Sequence, residues 1–321
     1  MVAVSVLIPC KGDSPYLLET LASIFSNTVL PDEILIVNDG MTSKALAEIY
    51  TYTFNKNFRV INNRGAGLVD ALNTGINASK NELVIRIDSD DLMEQNRIKV
   101  QFDFMIQNPT TVVLGSQCTL IDKLGAVIGK TRYPVGELNK LWKFRSSCQL
   151  AHPSVIFRKS IVISAGGYRK VFKCDNMDIA EDFDLWLRMA KFGSIQNLDI
   201  ALTKYRQHEN QISSKFSNIQ ILATLFVAAN VDNSKKCKMK TEPNCIIEDY
   251  QGFLKILGSQ KNKVIMWQHR ILLKKLNAKQ NRKYNNLILF KILSKLFSFI
   301  LELNQVFLTF RYFNFQNRQF K

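Results

Sequence analysis

Short runs that are apolar at almost every position alternate, early in the chain, with stretches whose apolar residues recur at helical spacing. Val4-Ser5-Val6-Leu7-Ile8 reads as a buried strand that Pro9 is expected to stop. Over 15–25, Leu17, Leu18, Leu21, Ile24 and Phe25 share one helical face. Ile34-Leu35-Ile36-Val37 is a second strand, closed by the turn signal Asn38-Asp39-Gly40. A helix over 43–54, a strand over 58–61 and a helix over 66–78 follow, the last carrying Leu68, Ala71, Leu72 and Ile76 on one stripe. Leu83-Val84-Ile85-Arg86-Ile87 is the fourth strand. Strands that are apolar throughout suit a parallel sheet buried on both faces, so the pattern predicts an α/β fold with helices above and below.

In an open sheet of this kind ligands bind outside the carboxyl ends of the strands. Three such ends carry polar chemistry: Pro9-Cys10-Lys11, Asp39, and Asp88-Ser89-Asp90-Asp91. Three carboxylates in four residues repel one another unless a cation sits among them, and a hard divalent ion takes carboxylates together with substrate phosphates. The other reading is a solvated acidic turn that caps the next helix. Asp39 either accepts hydrogen bonds from a nucleotide base or ribose, or forms an Asx turn. Gly65-Ala66-Gly67 begins like a dinucleotide fingerprint, but Asp70 stands at the third glycine position and no Walker loop occurs, which excludes a dehydrogenase reading. Further on, Phe183, Trp186, Leu187 and Ala190 have helical spacing, with Glu181 and Asp182 in the first turn. A helix N-terminus favours ionised carboxylates, so a base is expected to be ready there; acids also occur in first turns for helix stability alone.

A chain of 321 residues has room for about two domains. Its six cysteines contain no Cys-x-x-Cys pair and it has only three histidines, which argues against a zinc module or a disulfide framework. Val2–Pro9 is too short for a secretory apolar region, so a reduced, cytoplasmic setting is expected.

The motifs Val4-Ser5-Val6-Leu7-Ile8-Pro9, Ile36-Val37-Asn38-Asp39-Gly40, Ala71-Leu72-Asn73-x-Gly75-Ile76 and Arg86-Ile87-Asp88-Ser89-Asp90-Asp91 occur in that order. They are followed by His152-Pro153-Ser154, Gly166-Gly167-Tyr168, Ala180-Glu181-Asp182-Phe183-Asp184-Leu185-Trp186-Leu187-Arg188 and Tyr205-Arg206-x-His208. The ordered set resembles family-two inverting glycosyltransferases with the A-type fold, of the amylovoran and capsule type, over roughly 4–215. One departure is Asn38-Asp39-Gly40-Met41, where many members have Asp-Asp-Gly-Ser. The resemblance implies a mostly parallel central sheet with helices on both faces and a helical C-terminal extension. It implies a catalytic domain over 1–215, with a nucleotide-binding half (1–115) and an acceptor-binding half (116–215), then a basic region over 216–321.

The same resemblance implies transfer of a sugar from a nucleotide-diphosphate donor, UDP-galactose or a UDP-N-acetylhexosamine, to a saccharide or lipid-linked saccharide. Asp90 is then the direct ligand of Mn²⁺ or Mg²⁺, with Asp88, Asp91 and His208 about it. Pro9, Lys11, Asp39, Gly67 and Asp88 line the donor pocket. Asp182, beside Glu181, is the base for the acceptor hydroxyl, and Asp184 is the alternative. A degenerate transferase fold that only binds saccharide or nucleotide is the non-enzymatic reading.

The net charge of +16 is concentrated at the end of the chain, where residues 254–321 hold 14 Lys/Arg and a single acid, Glu302. Over 286–307, Leu289, Ile292, Leu293, Leu296, Phe297, Ile300 and Phe307 fall on one helical face opposite Lys291, Ser294, Lys295, Ser298, Glu302 and Gln305. The apolar runs are too short to span a bilayer. A basic face opposite a Leu/Phe face suits an anionic membrane surface, so residues 286–310 are expected to dock peripherally on the inner face of the cell membrane. Packing against the rest of the chain or a partner subunit is the alternative. No nucleic-acid motif accompanies the charge, and nucleic acid is not an expected partner.

Overall fold

β1 (Val2–Lys11), α1 (Leu17–Phe25), β2 (Pro31–Asp39), α2 (Ser43–Tyr52), β3 (Phe58–Asn62), α3 (Leu68–Ala78) and β4 (Leu83–Arg86) follow the expected alternation. The computed structural model describes residues 2–52, 57–140, 148–171, 173–174, 177–208, 223–224 and 227. The expected domain boundary near 215 and the amphipathic stretch over 286–310 lie outside the described residues. After β4 come β5 (Leu92–Met93), α4 (Arg97–Gln107), β6 (Thr111–Ile121), β7 (Val127–Lys130), β8 (Gly136–Glu137), β9 (Ile156–Arg158) and α5 (Lys159–Ser164). The small hairpin β10 (Lys173–Cys174) and β11 (Met177–Asp178) precedes α6 (Glu181–Met189) and the long β12 (Ser194–Arg206).

The main sheet runs β3-β2-β1-β4-β9-β6-β12-β5, with β7 on β6 and β8 on β12. β1 to β4 pair in parallel, as expected from their continuous apolar runs. β9 enters antiparallel between β4 and β6, and β6 and β12 are parallel. Alternation along each strand divides the core into two layers. Leu7, Leu35, Val37 and Val84 face α3 and α6, packing with Leu72, Ile76, Phe183 and Trp186. Val4, Val6, Ile8, Ile34, Ile36, Ile85 and Ile87 face α1 and α4, with Leu21, Ile24, Ile98 and Met105.

Pro9 does not stop β1, which continues to Lys11. The Leu7 carbonyl accepts the Ile87 N–H at 3.1 Å, so residues 7 and 9 direct their backbone groups to the β4 side. Pairing with β4 ends at Leu7↔Arg86, so the missing N–H of Pro9 removes no ladder bond, while pairing with β2 continues through Pro9↔Val37 to Lys11↔Asp39.

At the opposite end of the sheet, buried Glu33 accepts hydrogen bonds from the Ser5 hydroxyl (2.6 Å), the Lys80 N–H (2.8 Å) and the Arg59 guanidinium. Burial raises its pKa, but these donors outweigh burial and the net shift is downward. A lowered folded pKa stabilises the fold above the ordinary glutamate range, and that stability is lost as pH falls through the folded value. Glu33→Ala is expected to cost about 3 kcal/mol at neutral pH, read by urea denaturation, with a smaller deficit in acid.

Candidate active site

Three parallel strands end side by side. Lys11 is the register partner of Asp39, and the Gly12 N–H donates to the Asp39 carbonyl at 3.0 Å. The Asx-type contact at this turn is made by Asn38, whose Oδ1 accepts the Met41 N–H at 2.7 Å. Asp39 instead turns to the loop before α3. Its carboxylate accepts Asn63 Nδ2 at 2.9 Å and the Gly67 N–H at 3.0 Å. Gly67 has φ of +86°, a conformation that disfavours any side chain with a Cβ. Pro9 is buried and Lys11 exposed, and with Asp39 and Gly67 they share the sheet edge onto which β4 delivers Asp88.

Asp88, Asp90 and Asp91 each place a carboxylate oxygen within 4.8 Å of the others. Asp91 is fully buried. Its Oδ1 accepts the Arg206 N–H at 2.8 Å, whereas its Oδ2 has no hydrogen-bond partner among the described residues. Burial, then the charges of Asp88 and Asp90, pushes its pKa far above the ordinary aspartate range. The next helix, α4, begins after Asn96, so the cluster does not cap it. An orphaned buried oxygen among clustered acids does not fit a solvated turn. It fits the donor set of a hard cation such as Mn²⁺ or Mg²⁺.

The last residues of β12 and those just after it close over this cluster. His208 Nε2 lies 2.8 Å from Asp90 Oδ2, with its ring 5.8 Å from that of Tyr16. Arg206 donates Nε to the Asp90 carbonyl at 2.9 Å, pairs with Glu19 at 2.7 Å, and lies 4.2 Å above the Tyr16 ring. The expected grouping of His208 with the acids is therefore present in the fold, and Arg206 accompanies it.

Arg86 is the residue that sequence reasoning missed. It sits in the apolar run of β4 and is buried, with its guanidinium forked onto the Asp88 carboxylate. Nε has no partner. Its charge also acts on Asp91, Asp182, Glu181, His152 and Tyr168. The charge of Asp182 in turn raises Asp88, whose pKa burial already lifts against the opposing pull of Arg86. One buried cation thus acts on both the acidic cluster and the start of α6. The available signal was a lone arginine on the same strand face as Asp88, two residues before it.

α6 begins at Glu181 after Ala180, the one non-glycine residue with positive φ (61°) among the described residues, and both acids fall in its first turn as expected. Asp182 Oδ1 accepts the Phe183 N–H at 2.7 Å, and Cys148 Sγ lies 3.5 Å from Oδ2. The Phe183 N–H favours the ionised form of Asp182, as expected of a helix start, but it is not the largest influence there. Burial is the largest influence, and the net pKa is raised despite the Phe183 N–H and Arg86. Glu181 is pushed to about 8 by burial and then by Asp182. Behind it, His152 lies 3.6 Å from Glu181 and 2.8 Å from the Tyr168 hydroxyl, its own pKa driven well down by burial.

Residues 5–162 match the family described as Glycosyl transferase family 2. Against the amylovoran biosynthesis glycosyltransferase AmsE of Erwinia amylovora, the chain is 31% identical over 201 residues, which cover 61% of this chain and 73% of that protein. The chain belongs to glycosyl transferase family 2. It is also 35% identical over 182 residues to the UDP-Gal:alpha-D-GlcNAc-diphosphoundecaprenol beta-1,3-galactosyltransferase of Escherichia coli. That match covers 55% of this chain and spans 63% of the relative's length. The crystal structure of S. aureus TarS 1-349 in complex with UDP-GlcNAc superimposes with a TM-score of 0.55 at 16% identity, covering 89% of this chain and 74% of that one, a likeness of fold.

Within this family 2 transferase, Asp184 is the poorer candidate for a base. Arg169 and Arg188 both engage its buried carboxylate, and Arg188 also reaches the carbonyls of Ala165 and Gly167. Breaking a buried ion pair from one side leaves an uncompensated charge. Asp184→Asn is expected to cost about 3 kcal/mol of stability in urea denaturation, with the surviving folded protein still active. Trp186, at helical spacing with Phe183, is buried in the core against Phe157 and Tyr168.

Proposed function

We propose that this transferase moves a sugar, galactose or an N-acetylhexosamine, from its UDP donor to a saccharide on a lipid carrier, with inversion at the anomeric carbon, in the assembly of a surface polysaccharide. The observation that carries the reading is the gathering of the Asp88, Asp90 and Asp91 carboxylates, with buried Arg86 forked onto Asp88 and its charge acting on Asp182 as well. The donor and lipid-linked acceptor named for the Escherichia coli relative, and the UDP-GlcNAc bound in the TarS structure, support the choice of substrates.

Asp90 and Asp91, with Asp88 and His208 beside them, are the residues that would hold Mn²⁺ or Mg²⁺. When bound, the ion neutralises charge that builds on the departing diphosphate. Asp39, with Pro9, Lys11 and Gly67, lines the nucleoside end of the donor. Asp182 takes the proton of the acceptor hydroxyl as that oxygen bonds to the anomeric carbon and the bond to the phosphate oxygen breaks. Approach from the face opposite the leaving UDP inverts the configuration. Glu181, pushed to about 8 by burial and by the charge of Asp182, holds its proton at neutral pH.

No helix among the described residues is long and apolar enough to cross a membrane. In this reading the protein works from the cytoplasmic side, with residues 286–310 as a peripheral contact.

UDP release from a panel of UDP-sugars, with and without Mn²⁺, tests the assignment. Metal-stimulated release from UDP-galactose or UDP-N-acetylglucosamine is expected. Binding of these donors without release from any of them would favour the non-catalytic fold instead.

A further inference from the structure

β6 and β7 form a hairpin whose turn carries the largest exposed apolar residues near the site. Leu124 is 84% exposed and Val127 69%, and Ile128 beside them is also exposed. β7 pairs only with β6, so its outer edge is open among the described residues. Neighbouring Val127 and Ile128 point to opposite faces of that ribbon, and both side chains are exposed. An apolar edge strand left bare is a feature that proteins ordinarily blunt. The turn is well formed: the Asp122 carboxylate accepts the Leu124 and Ala126 N–H groups, both at 2.9 Å.

Charge around the tip is predominantly positive, the turn's own acid, Asp122, having its carboxylate engaged by the Leu124 and Ala126 N–H groups. Residues 123–135 contain Lys123, Lys130 and Arg132 and no acid, and all three cations are exposed. The hairpin is also joined to the acidic cluster. Arg206 donates to the Lys123 carbonyl at 3.2 Å while its Nε holds the Asp90 carbonyl, and the Gln207 N–H donates to the Ile121 carbonyl at 2.7 Å.

We propose that the β6–β7 hairpin is a membrane-docking element that inserts Leu124, Val127 and Ile128 into an anionic lipid surface, with Lys123, Lys130 and Arg132 on the headgroups. Apolar residues ringed by cations match the two contributions that hold a protein at such an interface, burial of apolar area and attraction to anionic lipid. Docking here sets the acidic cluster, one arginine away, at the level of the headgroups, where a lipid-linked diphosphate saccharide presents its sugar. That consequence rests on the proposed acceptor; the docking itself does not.

The test uses the full-length protein, wild type and the double variant Leu124→Asp/Val127→Asp, in co-sedimentation with vesicles of phosphatidylglycerol and phosphatidylethanolamine, and with neutral phosphatidylcholine vesicles. Both positions are solvent-exposed, and unchanged metal-stimulated UDP release by the variant certifies its fold. The wild type is expected to bind anionic vesicles and not neutral ones, with affinity at least tenfold weaker in the variant. Leu124→Trp is expected to add blue-shifted emission on anionic vesicles alone. Equal vesicle binding by wild type and double variant would overturn the proposal, as would a dimer in solution that the substitutions dissociate. Absence of UDP release in the wild type would count against the transferase reading and leave the docking result standing.

Discussion

Asp182→Asn is expected to lower sugar transfer about a thousandfold while leaving the fold intact, the scale on which a positioned general base contributes. Asparagine retains an Oδ1 acceptor for the Phe183 N–H, so the start of α6 keeps its hydrogen bond. What is lost is the carboxylate proposed to take the acceptor proton. Burial raises the Asp182 pKa, so the active, ionised form fills in at higher pH than for an exposed aspartate. The kcat/KM profile of the wild type should therefore rise through an acidic limb lying above the ordinary aspartate range. Asp184→Asn supplies the contrast, losing stability without losing the limb. An Asp182→Asn enzyme with near-normal transfer would remove the base from this residue.

Arg86→Met is expected to damage stability and chemistry together. Methionine fills much of the buried volume but leaves Asp88 without its forked partner, and the loss of one side of such a pair costs about 3 kcal/mol. Asp182 also loses a cation that favours its ionised form. Its pKa should climb further, and the acidic limb of kcat/KM should move to higher pH in the variant. Urea denaturation and a pH–rate profile on the same preparation read the two effects separately. A loss of stability with an unmoved limb would show that Arg86 serves the fold alone.

The parallel half of the fold was legible because burial on both faces writes itself as uninterrupted apolar runs, as in Val4–Ile8 and Ile34–Val37. The prolonged β1 was not, because Pro9 is an acceptable strand residue only where the neighbouring strand has already ended, a fact of register. β12 hides for a similar reason. Its sequence SIQNLDIALTKYR has bulges and mixed polarity that make sense only between β6, β5 and β8. At the site, the acids announced themselves by number and position, and His208 by its motif. The charge balance did not, because Arg86 looks like a stray polar residue until Asp88, Tyr168 and the start of α6 are seen around it. The helix-end argument for Asp182 was incomplete in the same way, since its burial, and the Cys148 thiol beside it, come from the tertiary fold.

The central claim is that the Asp88–Asp91 cluster joins a divalent cation to a nucleoside diphosphate. Isothermal titration of UDP into the full-length protein, with and without Mn²⁺, tests it most directly when paired with Asp90→Asn. Mn²⁺ is expected to tighten UDP binding about tenfold or more in the wild type and to leave the variant unchanged. UDP affinity that is the same with and without Mn²⁺ in the wild type would contradict the account.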